Sequence, residues 1–155
     1  MDSERPKIAL FAFQNAEVLQ LLSGLSDAYR VRLVPPSEDI IRVHRAQRFE
    51  LVLFYARARD VRRFAGLSRR LKTEQKAPQV CLLCAAGVRG DPVSLLEAHL
   101  LDGLYGGVDE SKKILGWLER VRRAERPVEG EFGAPGKLRA ALRKISGFRA
   151  SSTDE

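Results

Sequence analysis

The strongest constraint on this chain is an alternation. Short apolar runs recur along it, each followed by a stretch whose apolar residues return every three or four positions. The runs are Lys7–Phe13 (KIALFAF), Tyr29–Val34 (YRVRLV), Phe49–Ala56 (FELVLFYA), Gln79–Ala86 (QVCLLCAA) and Asp102–Val108 (DGLYGGV). Between and after them, Val18, Leu19, Leu22 and Leu25, then Ile40, Ile41 and His44, then Val61, Phe64, Leu67 and Leu71, then Val93, Leu96 and Leu100, and finally Ile114, Leu118 and Val121 with Trp117 beside them follow helical spacing. Nearly continuous apolar strands separated by amphipathic helices demand a parallel sheet, because successive parallel strands need a crossover and their buried faces need cover on both sides. The sequence therefore predicts an α/β domain with a doubly wound five-stranded parallel sheet between helical layers.

Local signals refine this reading. Tyr29, Val31 and Leu33 alternate with Arg30 and Arg32, so the second strand has a wetter face and belongs near a sheet edge. Ser37, followed by Glu38 and Asp39, is expected to cap the second helix, Asp60 the third, Asp91 with Pro92 the fourth, and Asp109 the last. From Glu125 onward Pro127, Gly130, Gly133, Pro135 and Gly136 suggest a flexible linker, followed by a basic segment over 137–148 with Leu138, Leu142 and Ile145 at helical spacing. The expected organisation is one domain over 1–126 and a linker with a basic, helical tail over 127–155.

With 155 residues and 45% hydrophobic positions, the chain can bury one continuous core. Its N-terminal residues, MDSERPK, contain no apolar signal region, and no run approaches the ~18 residues of a membrane span. Cys81 and Cys84 sit inside an apolar run, which points to a reducing compartment, and the cytoplasm is the expected location. The net charge of +7 is unevenly spread: residues 57–76 carry +6 and 112–126 carry +4, whereas 77–111 carry −4. Such local basicity suits an acidic partner or nucleic acid.

The order and spacing of elements over roughly residues 7–124 resembles the receiver domain of bacterial two-component response regulators. Phe49–Tyr55 is similar to that family's third strand, and Asp102-Gly103-Leu104-Tyr105 to the lead into its fifth. The resemblance implies a flavodoxin-like fold with strand order 2-1-3-4-5. It also assigns positions to phosphoryl transfer, which needs a carboxylate nucleophile, further acids for Mg²⁺, a hydroxyl and a cation. Each position holds something else here. The acidic pair falls on Ala12 and Phe13, the phospho-accepting Asp on Tyr55, the Ser/Thr on Cys84, and the Lys-Pro on Gly107-Val108. Neighbouring Gln14, Asn15, Ala56 and Arg57 restore no carboxylate under a small shift of register. The implied protein is a pseudo-receiver without phosphorylation chemistry, catalytic residues, metal or cofactor.

Other motifs dissolve on inspection. Cys81 and Cys84, three apart on a strand, point to opposite faces about 10 Å apart, beyond disulfide reach. His44 and His99 have no companion ligand cluster. Gly87–Gly90 lacks the remaining residues of a dinucleotide or phosphate loop, and Ser68 lies within a helical pattern rather than a nucleophile turn. What remains is surface. The resemblance implies a partner face at Leu96, Leu100, Leu104, Tyr105, Lys112, Lys113 and Trp117, which in the family also forms homodimers. Composition adds a second docking face, Arg59, Arg62, Arg63, Arg69 and Arg70, suited to an acidic signalling protein. The expectation is a non-enzymatic signalling adaptor. The alternative is a nucleic-acid-binding regulator, less favoured because no aromatic residues are interleaved with these arginines for base stacking.

Overall fold

Lys7–Phe11 forms β1, the second strand of a six-stranded, all-parallel sheet. The computed structural model describes residues 5–56, 61–84, 100–106 and 111–130. After β1 come α1 (Ala16–Leu25), β2 (Arg30–Val34), α2 (Ile40–Gln47), β3 (Leu51–Ala56), α3 (Val61–Lys72), β4 (Gln79–Cys84), β5 (Gly103–Gly106), α4 (Ser111–Arg123) and β6 (Val128–Gly130). The sheet order is β2-β1-β3-β4-β5-β6, so the first five strands follow the 2-1-3-4-5 order of a flavodoxin-like fold. The arginine-bearing β2 takes the sheet edge, as its alternation requires.

Two apolar layers enclose the sheet. On one face Phe11, Phe54, Leu82 and Leu104 meet Ile40 and Ile41 of α2 and Phe64 and Leu71 of α3. Phe11, Phe54 and Phe64 form its aromatic centre, Phe54 and Phe64 stacked with centroids 4.7 Å apart. On the other face Leu10, Leu53, Tyr55, Leu83 and Tyr105 meet Val18, Leu21 and Leu25 of α1 and Ile114, Trp117, Leu118 and Val121 of α4. Cys81 and Cys84 fall in opposite layers, both buried and both free. Burial pushes both thiols up, Cys84 to about 12.

Helix starts differ in part from expectation. Asn15 caps α1, accepting the Val18 N–H at 2.8 Å. The cap of α2 is Asp39 rather than Ser37: the Glu38 N–H donates to the Pro35 carbonyl, so a turn occupies 35–38 and the helix opens after it. Asp39 then accepts from the Ile41 and Arg42 N–H groups. The expected fourth helix, over 91–100, and the Asp60 and Asp109 caps lie outside the described residues, except for Leu100. The sheet extends one strand further than expected. Val128–Gly130, within the stretch read as linker, pairs with Gly103–Tyr105. The Val128 N–H donates to the Asp102 carbonyl, and Trp117 Nε1–H donates to the Val128 carbonyl at 3.2 Å. The basic segment at 137–148 lies outside the described residues.

Asp102 ties these elements together at the amino ends of the strands. Its carboxylate accepts the Val80 N–H at 2.8 Å and pairs with Lys72 of α3, while its backbone N–H donates to the Val80 carbonyl. Among the described residues no helix is long and apolar enough to cross a membrane.

Candidate functional site

A doubly wound sheet binds ligands at the carboxyl ends of its strands, where the crossovers leave a crevice. Here those ends carry Ala12, Phe13, Tyr55, Ala56, Cys84 and Gly106. Ala12 is buried, and its N–H donates to the Val34 carbonyl. Phe13, just past β1, is 46% exposed. Tyr55 is 4% exposed and faces the α1–α4 layer with Ala12 and Tyr105. Cys84 pairs with Ala56 and Gly106 across the sheet and faces the opposite layer. The structure thus brings Ala12 and Tyr55 together and separates both from Cys84. Gly107 lies outside the described residues.

Among the described residues, an acid from another element reaches these positions. Glu17, in the first turn of α1, accepts a hydrogen bond from the Tyr55 hydroxyl. The signal was present in the sequence as Asn15, whose capping fixes Glu17 within that first turn above the strand ends. This bond holds the Tyr55 hydroxyl against the Glu17 carboxylate. Among the described residues, no three His, Cys, Asp or Glu side chains converge as a ligand set.

The first expected partner face needs correction. Leu104 and Trp117 are fully buried and Tyr105 is 6% exposed. Tyr105 packs on Trp117 with ring centroids 5.0 Å apart, and Trp117 lies over Gly103 beneath α4. Helix α4 sits close because β5 opens with a glycine, so these large side chains fill the core instead of facing a partner. Leu100 is half-buried, and its carbonyl accepts the hydroxyl of the buried Ser68. Lys113 is exposed. Leu96 and the side chain of Lys112 lie outside what the structure describes.

The second face is on the surface. Arg62, Arg63, Arg69 and Arg70 are all exposed on α3, while Phe64, Ser68 and Leu71 of the same helix are buried. Arg63 donates to the Pro36 carbonyl at 2.6 Å and lies over the Phe11 ring, 5.7 Å from its centroid. Among the described residues, Arg62, Arg69 and Arg70 form no ion pair. Two acids among the described residues are engaged elsewhere: Glu74 is gripped by Arg45 of α2 through two hydrogen bonds of 2.8 and 2.9 Å, which hold its carboxyl below the ordinary range, and Asp102 takes Lys72. Arg59 lies outside the described residues.

At the opposite end of the sheet, His44, Arg45, Arg48, Glu74, Gln75 and Lys76 line an open cleft of about 210 Å³. His44 is buried and its ring is satisfied at both nitrogens. Nδ1 accepts the Phe49 N–H at 3.1 Å, which leaves Nε2 to donate to the Lys76 carbonyl at 2.8 Å. Its role is to join α2 to the loop after α3. Arg48 ends α2 in the left-handed region, at φ 56°.

No protein-family model matches the chain, and no curated protein sequence matches it.

Proposed function

We propose that this chain is a non-catalytic signalling adaptor, a receiver-like domain that works by protein–protein interaction and independently of Asp phosphorylation. One observation carries the reading. The residue standing where the resemblance puts the phospho-accepting Asp is Tyr55, which is 4% exposed and donates its hydroxyl to Glu17. A site filled in this way keeps the sheet and its crossovers intact while the chemistry is gone, and the surface is left as the working part. Among the described residues, α3 carries the largest set of exposed cations that form no ion pair with another described residue.

The test has two arms. Incubation with acetyl phosphate and Mg²⁺, read by intact-protein mass spectrometry, is expected to add no phosphoryl group; stoichiometric addition would overturn the reading. Affinity capture from nuclease-treated lysate of the native host should retain a signalling protein. The capture is repeated with a variant truncated after residue 130, which keeps β6 in the sheet. Retention of nucleic acid alone, lost on nuclease treatment, would favour a regulator that binds nucleic acid through its basic surfaces.

A further inference from the structure

Gly66 occupies the middle of α3, where a glycine costs helix stability relative to alanine. Nothing in the fold requires it: a Cβ built there meets no atom within 4 Å. Its neighbours on the helix surface, at i−4, i−3, i+3 and i+4, are Arg62, Arg63, Arg69 and Arg70. At 100° per residue these lie about 40° and 60° to either side of Gly66, within about 6 Å of it along the axis. The helix thus presents a notch without a side chain, ringed by four exposed guanidinium groups, one of them already positioned over Phe11 and by the Pro36 carbonyl.

Helix α4 offers an internal comparison. Gly116 is also open, but the i+3 position there is Glu119, engaged by Tyr29 and Arg122. Of these two helices, α3 alone combines the notch with an unbroken ring of cations.

Resting on the adaptor reading, we infer that the α3 face docks an acidic helix of a partner protein, crossing at Gly66. Two helices whose contact residues are small approach at the short end of the usual 8–10 Å interaxial range. The long arginines then straddle the partner and reach carboxylates on its flanks, in planar, two-pronged pairs. A nucleic-acid backbone would be reached by arginine tips alone. The glycine would serve nothing there, and no aromatic side chain on this face is available to stack bases.

The experiment uses the full chain and a fluorescent helical peptide with glutamates at i, i+1, i+7 and i+8 around a central alanine, followed by anisotropy at physiological salt. The same chain is titrated with a labelled DNA duplex. Saturable peptide binding is expected, weakened at least tenfold by the paired change Arg62→Glu and Arg69→Glu. Gly66→Gln keeps every charge and supplies a better helix former, so it should raise the unfolding midpoint yet weaken peptide binding several-fold, while leaving DNA binding unchanged. The inference is overturned if the peptide does not bind, if Gly66→Gln binds it like the wild type, or if the duplex binds more tightly. Those failures leave the adaptor reading standing on another face, whereas phosphorylation by acetyl phosphate would remove that reading whatever α3 binds.

Discussion

Replacing Gly103 by alanine tests how closely α4 is fitted to the sheet. A methyl group at this position would stand 2.8 Å from Val121 Cγ2, 2.9 Å from Trp117 Cζ2 and 3.0 Å from Cys81 Sγ. None of these atoms has room to turn away. Val121 and Trp117 are buried, the indole is tethered to the Val128 carbonyl, and Cys81 sits on β4 directly opposite Gly103. Relief must come from moving α4 off the strands, at an overpacking cost of about 1–3 kcal/mol. Alanine recovers about 0.4–1 kcal/mol by restricting the unfolded chain. Taking the middle of each range, the net loss is about 1.3 kcal/mol, and in a chain of this length each kcal/mol moves the midpoint ~2–4 °C, giving a fall of about 3–5 °C. Urea and thermal unfolding followed by far-UV circular dichroism would measure it. Combining Gly103→Ala with Val121→Ala removes one of the three contacts, so the double variant should lose less than the sum of the two single losses. A Gly103→Ala protein as stable as the parent would refute the close approach of α4 on which this reasoning rests.

Three further outcomes are expected. Asp102→Ala strands the Val80 N–H and the Lys72 ammonium, both satisfied by that carboxylate, and should cost about 1–3 kcal/mol in urea denaturation. Cys81 and Cys84, whose buried thiols are held in the protonated form, should resist iodoacetamide in the folded protein and react together once it is unfolded, as read by mass spectrometry. Burial, and then the Glu119 carboxylate that accepts its hydroxyl proton, raise the Tyr29 phenol above its ordinary value, so its contribution is complete below the unfolded pKa of about 10 and is lost as pH rises beyond it. Alkaline unfolding should accordingly destabilise the wild type more steeply than Tyr29→Phe.

The sheet was legible because its signal is long and redundant. Each strand is an apolar run and each following helix repeats its own period, so five parallel strands between helical layers could be read from the pattern, whereas their 2-1-3-4-5 order was implied only by the resemblance to receiver domains. The boundaries were less so. Phe49 reads as strand, yet the left-handed turn at Arg48 and the hydrogen bond from the Phe49 N–H to His44 delay β3 until Leu51. β6 was hidden because three residues, Val-Glu-Gly, carry no apolar run, and its pairing depends on an edge that exists only after folding. The positions Ala12, Tyr55 and Cys84 were picked out by the resemblance to receiver domains, whereas the engagement of Tyr55 by Glu17 depends on a helix and a strand 38 residues apart in sequence. Burial of Leu104, Tyr105 and Trp117 was missed for a related reason. A single chain pattern does not show that a glycine lets one helix settle so deeply.

The sixth strand also decides where the polypeptide departs. α4 runs back toward the amino ends of the strands, and a chain leaving directly from it would emerge beside Asp102. Because β6 is parallel to β5, the backbone is instead carried across the sheet and released at the carboxyl end, the side that holds Phe13 and Tyr55. Three strand spacings separate β6 from β3, about 14 Å. The three residues of β6 therefore work as a mooring: they fix the backbone at Gly130 on the crevice side of the sheet.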